Sequence, residues 1–320
     1  MLSSRINSPY CNCEQLALAR SDQEQKGFPV SVRCFPAFPT AAVAVAFTVP
    51  AHAGADFGYV YTAGIAEPGE TEATLWATDR RGKDAGHYDA QDYKLEVERG
   101  ITERFQASAY LNVASHHIRG LDGEFAQEDR NFGFQGLSAE FKYQLLNPEK
   151  QGFGVALSAE PGWSRISKVK GAEAREFELE LKAILQKNFA DNRLVWATNL
   201  TLEPEWDREH EEIAPGVVTR TTEKELAIEV ATGVAYRMTS KLWLGVEGRY
   251  HSVYPDWTAG LHRENYAVYA GPTVRYDGGK FAVTATYQPQ LFGSPNEGSS
   301  SLEFDDHEKR ELRLKLSYEF

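Results

Sequence analysis

The sequence predicts an all-β fold: a transmembrane antiparallel up-and-down β-barrel of about twelve strands, with short periplasmic turns and long extracellular loops. Three observations carry this. From Glu70 onward, apolar and polar residues alternate with period two, which places one set on each face of a strand. The connections between these segments alternate in length, short then long. The final stretch, ELRLKLSYEF, alternates without a break, with Leu312, Leu314, Leu316, Tyr318 and Phe320 on one face. Glu311, Arg313, Lys315, Ser317 and Glu319 occupy the other.

Composition bounds the rest. The chain has 320 residues, a net charge of −12 and a mean hydropathy of −0.46, so hydropathy alone describes a soluble protein. No apolar run reaches the roughly 18–20 residues of a helical span, but barrel strands carry a far weaker signal than helices. The acidic balance argues against a nucleic-acid partner, which would need a basic patch. The three cysteines are Cys11, Cys13 and Cys34, so the rest of the chain has no disulfide framework. Cys11 and Cys13 lack the second Cys/His pair of a zinc site. No metal or cofactor is expected.

Residues 1–53 read as a leader containing a signal peptide. Lys26 and Arg33 precede an apolar run over residues 41–49, and Ala51 and Ala53 form an A-x-A cleavage site before Gly54. The polar stretch 1–25 is unusual for such a leader. The reading adopted is that translation truly starts later, at Val30 or Val32, a GTG codon read as valine; a long leader is the alternative. Residues 54–69 read as a periplasmic lead-in, and entry of 57–66 into the lumen stays open beside it. Pro68-Gly69 supplies a type II turn, and residues 70–320 form the barrel.

The outward residues define each strand in order. Strand one carries Ala73, Leu75 and Ala77; strand two, Tyr93, Leu95 and Val97; strand three, Phe105, Ala107, Ala109, Leu111 and Val113. Strand four carries Leu137, Ala139, Phe141, Tyr143 and Leu145; strand five, Phe153, Val155, Leu157 and Ala159; strand six, Phe177, Leu179, Leu181, Ala183 and Leu185. Strand seven carries Leu194, Trp196, Leu200 and Leu202; strand eight, Leu226, Ile228, Val230, Val234 and Tyr236; strand nine, Leu242, Leu244, Val246 and Tyr250. Strand ten carries Tyr266, Val268, Ala270 and Val274, strand eleven Phe281, Val283, Ala285 and Tyr287, and the closing strand is the twelfth.

Short connections are expected at 100–103, 147–152, 190–192, 239–240 and 277–279. Long ones are expected near 79–89, 116–131, 164–174, 207–221, 255–263 and 293–307. Aromatic residues fall at both margins of the apolar band, among them Tyr143 and Phe281 at the short-turn end and Trp163 and Trp206 at the long-loop end. Such rings mark the two water–lipid boundaries.

Energetics assign the faces. Strand six carries Glu176, Glu178, Glu180 and Lys182 on one side. A Lys or Arg on the lipid face near the midplane costs about 2–4 kcal/mol, and Glu somewhat less. Turning this strand over would cost several kcal/mol, comparable to a net domain stability of about 5–15 kcal/mol. The charged face therefore lines the lumen.

The expected lumen-lining acids are Glu96, Glu98, Glu140, Glu160, Glu176, Glu178, Glu180, Glu203, Glu205, Glu223, Glu225, Glu229 and Glu247; the cations are Lys182, Arg249, Arg275, Arg313 and Lys315. Acids crowd strands five to eight and bases favour strands nine to twelve. Two readings stand side by side: a narrow acid-lined channel for small polar or cationic solutes, and cross-strand filler that occludes a structural or surface-interaction barrel. Catalysis is not expected. His251 and Ser252 are adjacent, so they point to opposite faces, and His116-His117 has the same defect. The acidic runs 209–212 and 305–308 read as solvated loop, with cation bridging of lipopolysaccharide as the alternative.

The closing strand resembles that of bacterial outer-membrane barrels. That resemblance implies that Leu316, Tyr318 and Phe320 act as an assembly signal for the barrel-assembly machinery. The segments FGYVYTA, RRGK, GHYDA and GITERFQASAYLN within 57–112 resemble an uncharacterised family of Gram-negative outer-membrane β-barrels, a domain of unknown function. The resemblance implies an outer-membrane location, in contact with lipid and lipopolysaccharide, and no catalytic residues.

Overall fold

The computed structural model describes residues 57–121, 125, 129–214, 217–294 and 301–320, with backbone alone at 209–214 and 217–220. The leader, its three cysteines and the cleavage residues Ala51, Ala53 and Gly54 lie outside the described residues. Twelve antiparallel strands close into one barrel. They are β1 (Thr71–Arg81), β2 (His87–Thr102), β3 (Phe105–Arg119), β4 (Arg130–Leu146), β5 (Phe153–Ile166), β6 (Glu173–Phe189), β7 (Leu194–Ala214), β8 (Val217–Arg237), β9 (Leu242–Pro255), β10 (Asn265–Asp277), β11 (Phe281–Ser294) and β12 (Arg310–Glu319).

Closure is made by the first and last strands. Leu75 of β1 stands opposite both Leu95 of β2 and Leu316 of β12, so an apolar row runs across the seam. The pleat sorts the side chains as expected. Leu157 is 48% exposed and Leu314 37%, whereas Glu140 is 3% and Glu247 2% exposed. Burying charge while exposing leucine is favourable only where the outside is hydrocarbon and the inside is polar.

The short turns have identifiable chemistry. Between β4 and β5 the chain makes the one-turn helix α1 (Pro148–Gln151). Asn147 Oδ1 caps it by accepting from the Glu149 and Lys150 amides, and Gly152 ends it in the left-handed region. Pro68-Gly69 forms the expected turn: the Glu70 amide donates to the Glu67 carbonyl at 3.0 Å, with Gly69 at φ 92°. The Gly69 amide then donates to the Gly100 carbonyl, tying this turn to the end of β2.

Several connections expected to be long are shorter, because the strands run on above the apolar band. The clearest case is 207–221, where pairing continues to Ala214 opposite Val217. Glu209, His210, Glu211 and Glu212 therefore sit on a strand rather than in a loop. Apolar alternation stops at the membrane boundary, but ladder hydrogen bonds form equally well in water beyond it. The run 305–308 is solvated only in part: Asp305 and Asp306 are exposed, but His307 and Glu308 are buried, and Glu308 accepts from Arg80 Nη1 at 2.5 Å.

Candidate functional site

The lead-in is inside the barrel. Residues 57–66 cross the lumen in the half nearest the short turns, and Phe57, Val60 and Ala63 are buried. No strand pairs with this segment, so its backbone polar groups need side-chain partners. The wall supplies them. The Glu247 carboxylate accepts from the amides of Gly58, Tyr59 and Val60 at 2.8, 2.8 and 3.1 Å. Asn199 makes a reciprocal pair with the Tyr61 amide and carbonyl, at 2.7 and 2.9 Å. Gln186 accepts from the Ala63 amide and Gln144 donates to its carbonyl, while Gln106 accepts from the Ala66 amide. Lys315 Nζ donates to the Phe57 carbonyl and Arg313 Nη1 to that of Gly58.

Packing reinforces the hydrogen bonds. Phe57 and Val60 sit against Val195, Ala197, Ala231 and Ala235, and Ala63 against Ala156 and Ile184. Gly233 leaves room for the Phe57 ring; a Cβ there would lie 2.7 Å from it. Tyr59 lies between the guanidinium groups of Arg249 and Arg313, at 4.2 and 3.8 Å from its ring, and its hydroxyl donates to Glu311 at 2.8 Å. Tyr61 carries the Lys182 ammonium over its ring at 3.5 Å.

The charges expected in the lumen all lie on the inward face, but they divide into two groups. In the first, all but Glu140 are held by neighbouring side chains or by the lead-in. Glu96 accepts from Trp76 and Tyr110, and Glu98 accepts from Gln106. Glu160 accepts from Lys94 at 3.1 Å and Ser138 at 2.6 Å, and Glu180 from Lys182 at 2.5 Å. Arg249 pairs with Glu311 and, at 3.5 Å, with Glu229. Arg275 is buried on the same wall.

The second group is a set of carboxylate rows. Glu176 stands opposite Asp207, which stands opposite Glu223; Glu178 stands opposite Glu205, which stands opposite Glu225. Glu203 lies beside them, its carboxylate within 4.8 Å of those of Glu178 and Glu205. Among the described residues no ion pair reaches any of these. They lie toward the long-loop end, where a pocket of about 1440 Å³ at the rim of β5–β8 is bordered by Glu176, Asp207 and Glu223 together with the outward-facing Trp163, Phe177 and Trp206.

Loops cover part of that mouth. Arg80 binds Asp92 at 2.7 Å, Glu308 at 2.5 Å and the Lys168 carbonyl, so it joins the β5–β6 and β11–β12 loops. His116 bonds the same carbonyl at 3.0 Å. Glu303 accepts from the amides of Asp305, Asp306 and His307, and Gln290 makes a reciprocal pair with its backbone. Burial lifts the Glu303 carboxyl to about 7 and drops the His307 imidazole to about 3. His251 packs on His307 at 5.2 Å, while Ser252 Oγ donates to the Ile228 carbonyl, so the adjacent pair forms no dyad.

Sequence reasoning missed the lead-in's partners Asn199, Gln186, Gln144 and Gln106. The readable signal was the inward run Val195, Ala197, Ala231, Gly233 and Ala235: small or apolar residues where the pattern calls for charge. Such a dry patch inside a polar lumen announces something packed against it.

The fold is similar to that of the COG4313 outer membrane channel from Pseudomonas putida F1, at 13% identity and a TM-score of 0.52, covering 80% of this chain and 97% of that one. The NanC porin matches at 11% identity and a TM-score of 0.45, over 78% of this chain and 100% of that one. The translocator domain of the autotransporter NalP from Neisseria meningitidis matches at 12% identity and 0.48, over 80% and 90%. No curated protein matches the sequence. With a lipid-facing belt, a polar lumen and porin-like architecture, this outer-membrane β-barrel belongs to the Family of unknown function (DUF6662), which it matches over residues 50–320.

Proposed function

We propose that the protein is a cation-favouring outer-membrane channel whose lumen is held closed by its own lead-in. The observation that carries this is the pair of in-register rows, Glu176/Asp207/Glu223 and Glu178/Glu205/Glu225. Like charges directly opposite one another destabilise a sheet. Deeper in the barrel Glu96, Glu98 and Glu247 accept hydrogen bonds from neutral donors, whereas in these rows, among the described residues, only Glu176 accepts from a side chain, that of Ser164. Unpaired rows facing an open mouth concentrate small cations by a field focused between low-dielectric walls. Passage then requires residues 57–66 to shift.

The chain sits among outer-membrane lipid and lipopolysaccharide, and Leu316, Tyr318 and Phe320 present its closing strand to the barrel-assembly machinery. The reading assigns no catalytic step. Planar-bilayer recording of the refolded mature chain tests it. Discrete, cation-selective steps are expected, with selectivity falling when Glu178 and Glu225 are both changed to Gln. A silent bilayer, both for the intact chain and for one lacking 57–66, would overturn it. The second reading, a sealed structural barrel, is favoured by the depth to which the lead-in is hydrogen-bonded.

A further inference from the structure

Below the unpaired rows, three carboxylates from three adjacent strands converge: Glu140 of β4, Glu160 of β5 and Glu180 of β6. One oxygen from each lies within 4.8 Å of the others. That spacing suits a hard divalent ion, because ligands at about 2.3–2.6 Å from calcium are at most about 5 Å apart. Acid clusters are common on barrel walls, and convergence alone would say little.

A second observation points to a ligand. Glu140 is 97% buried, since its relative exposure is 3%, and its Oε2 has no hydrogen-bond partner. Glu160 and Glu180 each hold a lysine through one oxygen, Lys94 at 3.1 Å and Lys182 at 2.5 Å. Glu140 makes no such pair among the described residues. On the neighbouring strand Ser158 Oγ is likewise buried without a partner. A cavity of about 40 Å³ lies on the other side of Glu140, toward β1 and β2, where Glu96, Lys142 and Lys315 line it and Glu160 and Glu180 do not. Water would complete the shell that calcium's high coordination number requires.

We infer that Glu140, Glu160 and Glu180 form a binding site for a hard divalent cation of the calcium class. The two lysine ammonium groups are tethered competitors for this site. The incoming ion displaces Lys182 from Glu180, and Lys182 also caps the ring of Tyr61 in the lead-in. Occupancy therefore loosens one contact that holds the lumen closed. The binding claim itself does not depend on whether any solute passes.

The test is calcium binding to the folded full barrel in detergent micelles, by calorimetry with calcium chloride and by terbium luminescence sensitised through Tyr61 and Trp76. The intact protein is expected to bind saturably. Glu140→Gln is expected to weaken binding by at least about tenfold. Lys182→Met is expected to tighten it, an effect that a purely structural role for the triad would not produce. Glu180→Gln is the second ligand variant should Glu140→Gln lose the heat-modifiable gel mobility of a folded barrel. Absence of saturable binding, or binding unchanged by both ligand variants but lost in Glu205→Gln, would overturn the assignment.

Discussion

The two halves of the lumen obey different rules. In the half nearest the short turns, a charge such as Glu247 is surrounded by donors: three amides of the lead-in and the Thr286 hydroxyl at 2.7 Å. In the half nearest the long loops, Glu205 stands between Glu178 and Glu225 with no cation paired to it among the described residues. The same residue type on the same face is hydrogen-bonded to the lead-in at one height and stands among like charges at the other. On the proposed reading, pore and filler are not alternatives for this barrel as a whole; they would be stacked along its axis.

The largest effect should come from removing the difference outright. Deleting residues 57–66 is expected to raise single-channel conductance several-fold in planar bilayers while leaving a heat-modifiable barrel. Equal conductance with and without the segment would mean that the inner half was never the barrier. Next in size is the membrane face itself. Leu157→Arg, in an apolar belt where Leu157 is 48% exposed, is expected to lower stability in lipid vesicles by about 2–4 kcal/mol, read from urea unfolding.

The sharpest comparison uses one substitution at two heights. Glu247→Gln weakens charge-assisted hydrogen bonds and is expected to cost about 1.5–3 kcal/mol. Glu205→Gln relieves cross-strand repulsion and is expected to stabilise by about 0.2–1 kcal/mol. Matching signs in the same unfolding assay would erase the distinction between the halves.

The smallest effect concerns the β11–β12 loop. Folded Glu303 holds its proton more tightly than its ordinary value of 4.5, at about 7, so its contribution is full below pH 4.5 and lost as pH rises to about 7. Folded His307 holds its proton less tightly than its ordinary 6.5, at about 3, so its contribution is full above pH 6.5 and lost as pH falls toward 3. The slopes oppose between 4.5 and 6.5. Asp306, Asp305 and Lys83 act on Glu303, and His251, Glu308, Lys83 and Arg249 act on His307. Hydrogen exchange at the 305–307 amides, corrected for intrinsic rate, should be nearly flat in that window. In Glu303→Gln protection should rise with pH, and in His307→Asn it should fall.

Much of the wall was legible because the pleat has a period of two and lipid enforces it residue by residue. Leu312, Leu314 and Leu316 could face only one solvent. Strand ends above the membrane were not read: from Asp207 to Glu212 every residue is charged or polar, yet pairing continues to Ala214, and Ile213-Ala214 and Val217-Val218 around Pro215-Gly216 were the available sign of a hairpin. The lead-in was not legible for a different reason. Its contacts join Tyr59 to Glu247 and Tyr61 to Asn199, 188 and 138 residues apart, and a coil has no period to betray its partners. In the acidic run 305–308, Glu308 was misread because charge was taken as a sign of solvation, whereas Arg80 and Lys83 neutralise it.

The Pro68-Gly69 turn fastens the stopper to the rim it seals, at the Gly100 carbonyl. A ligand on so short a leash is at about millimolar local concentration however dilute the protein becomes. Any escape is therefore brief, and recapture is a first-order event that neither dilution nor washing can abolish. Current through such a barrel should arrive as flickers, with dwell times set by the leash.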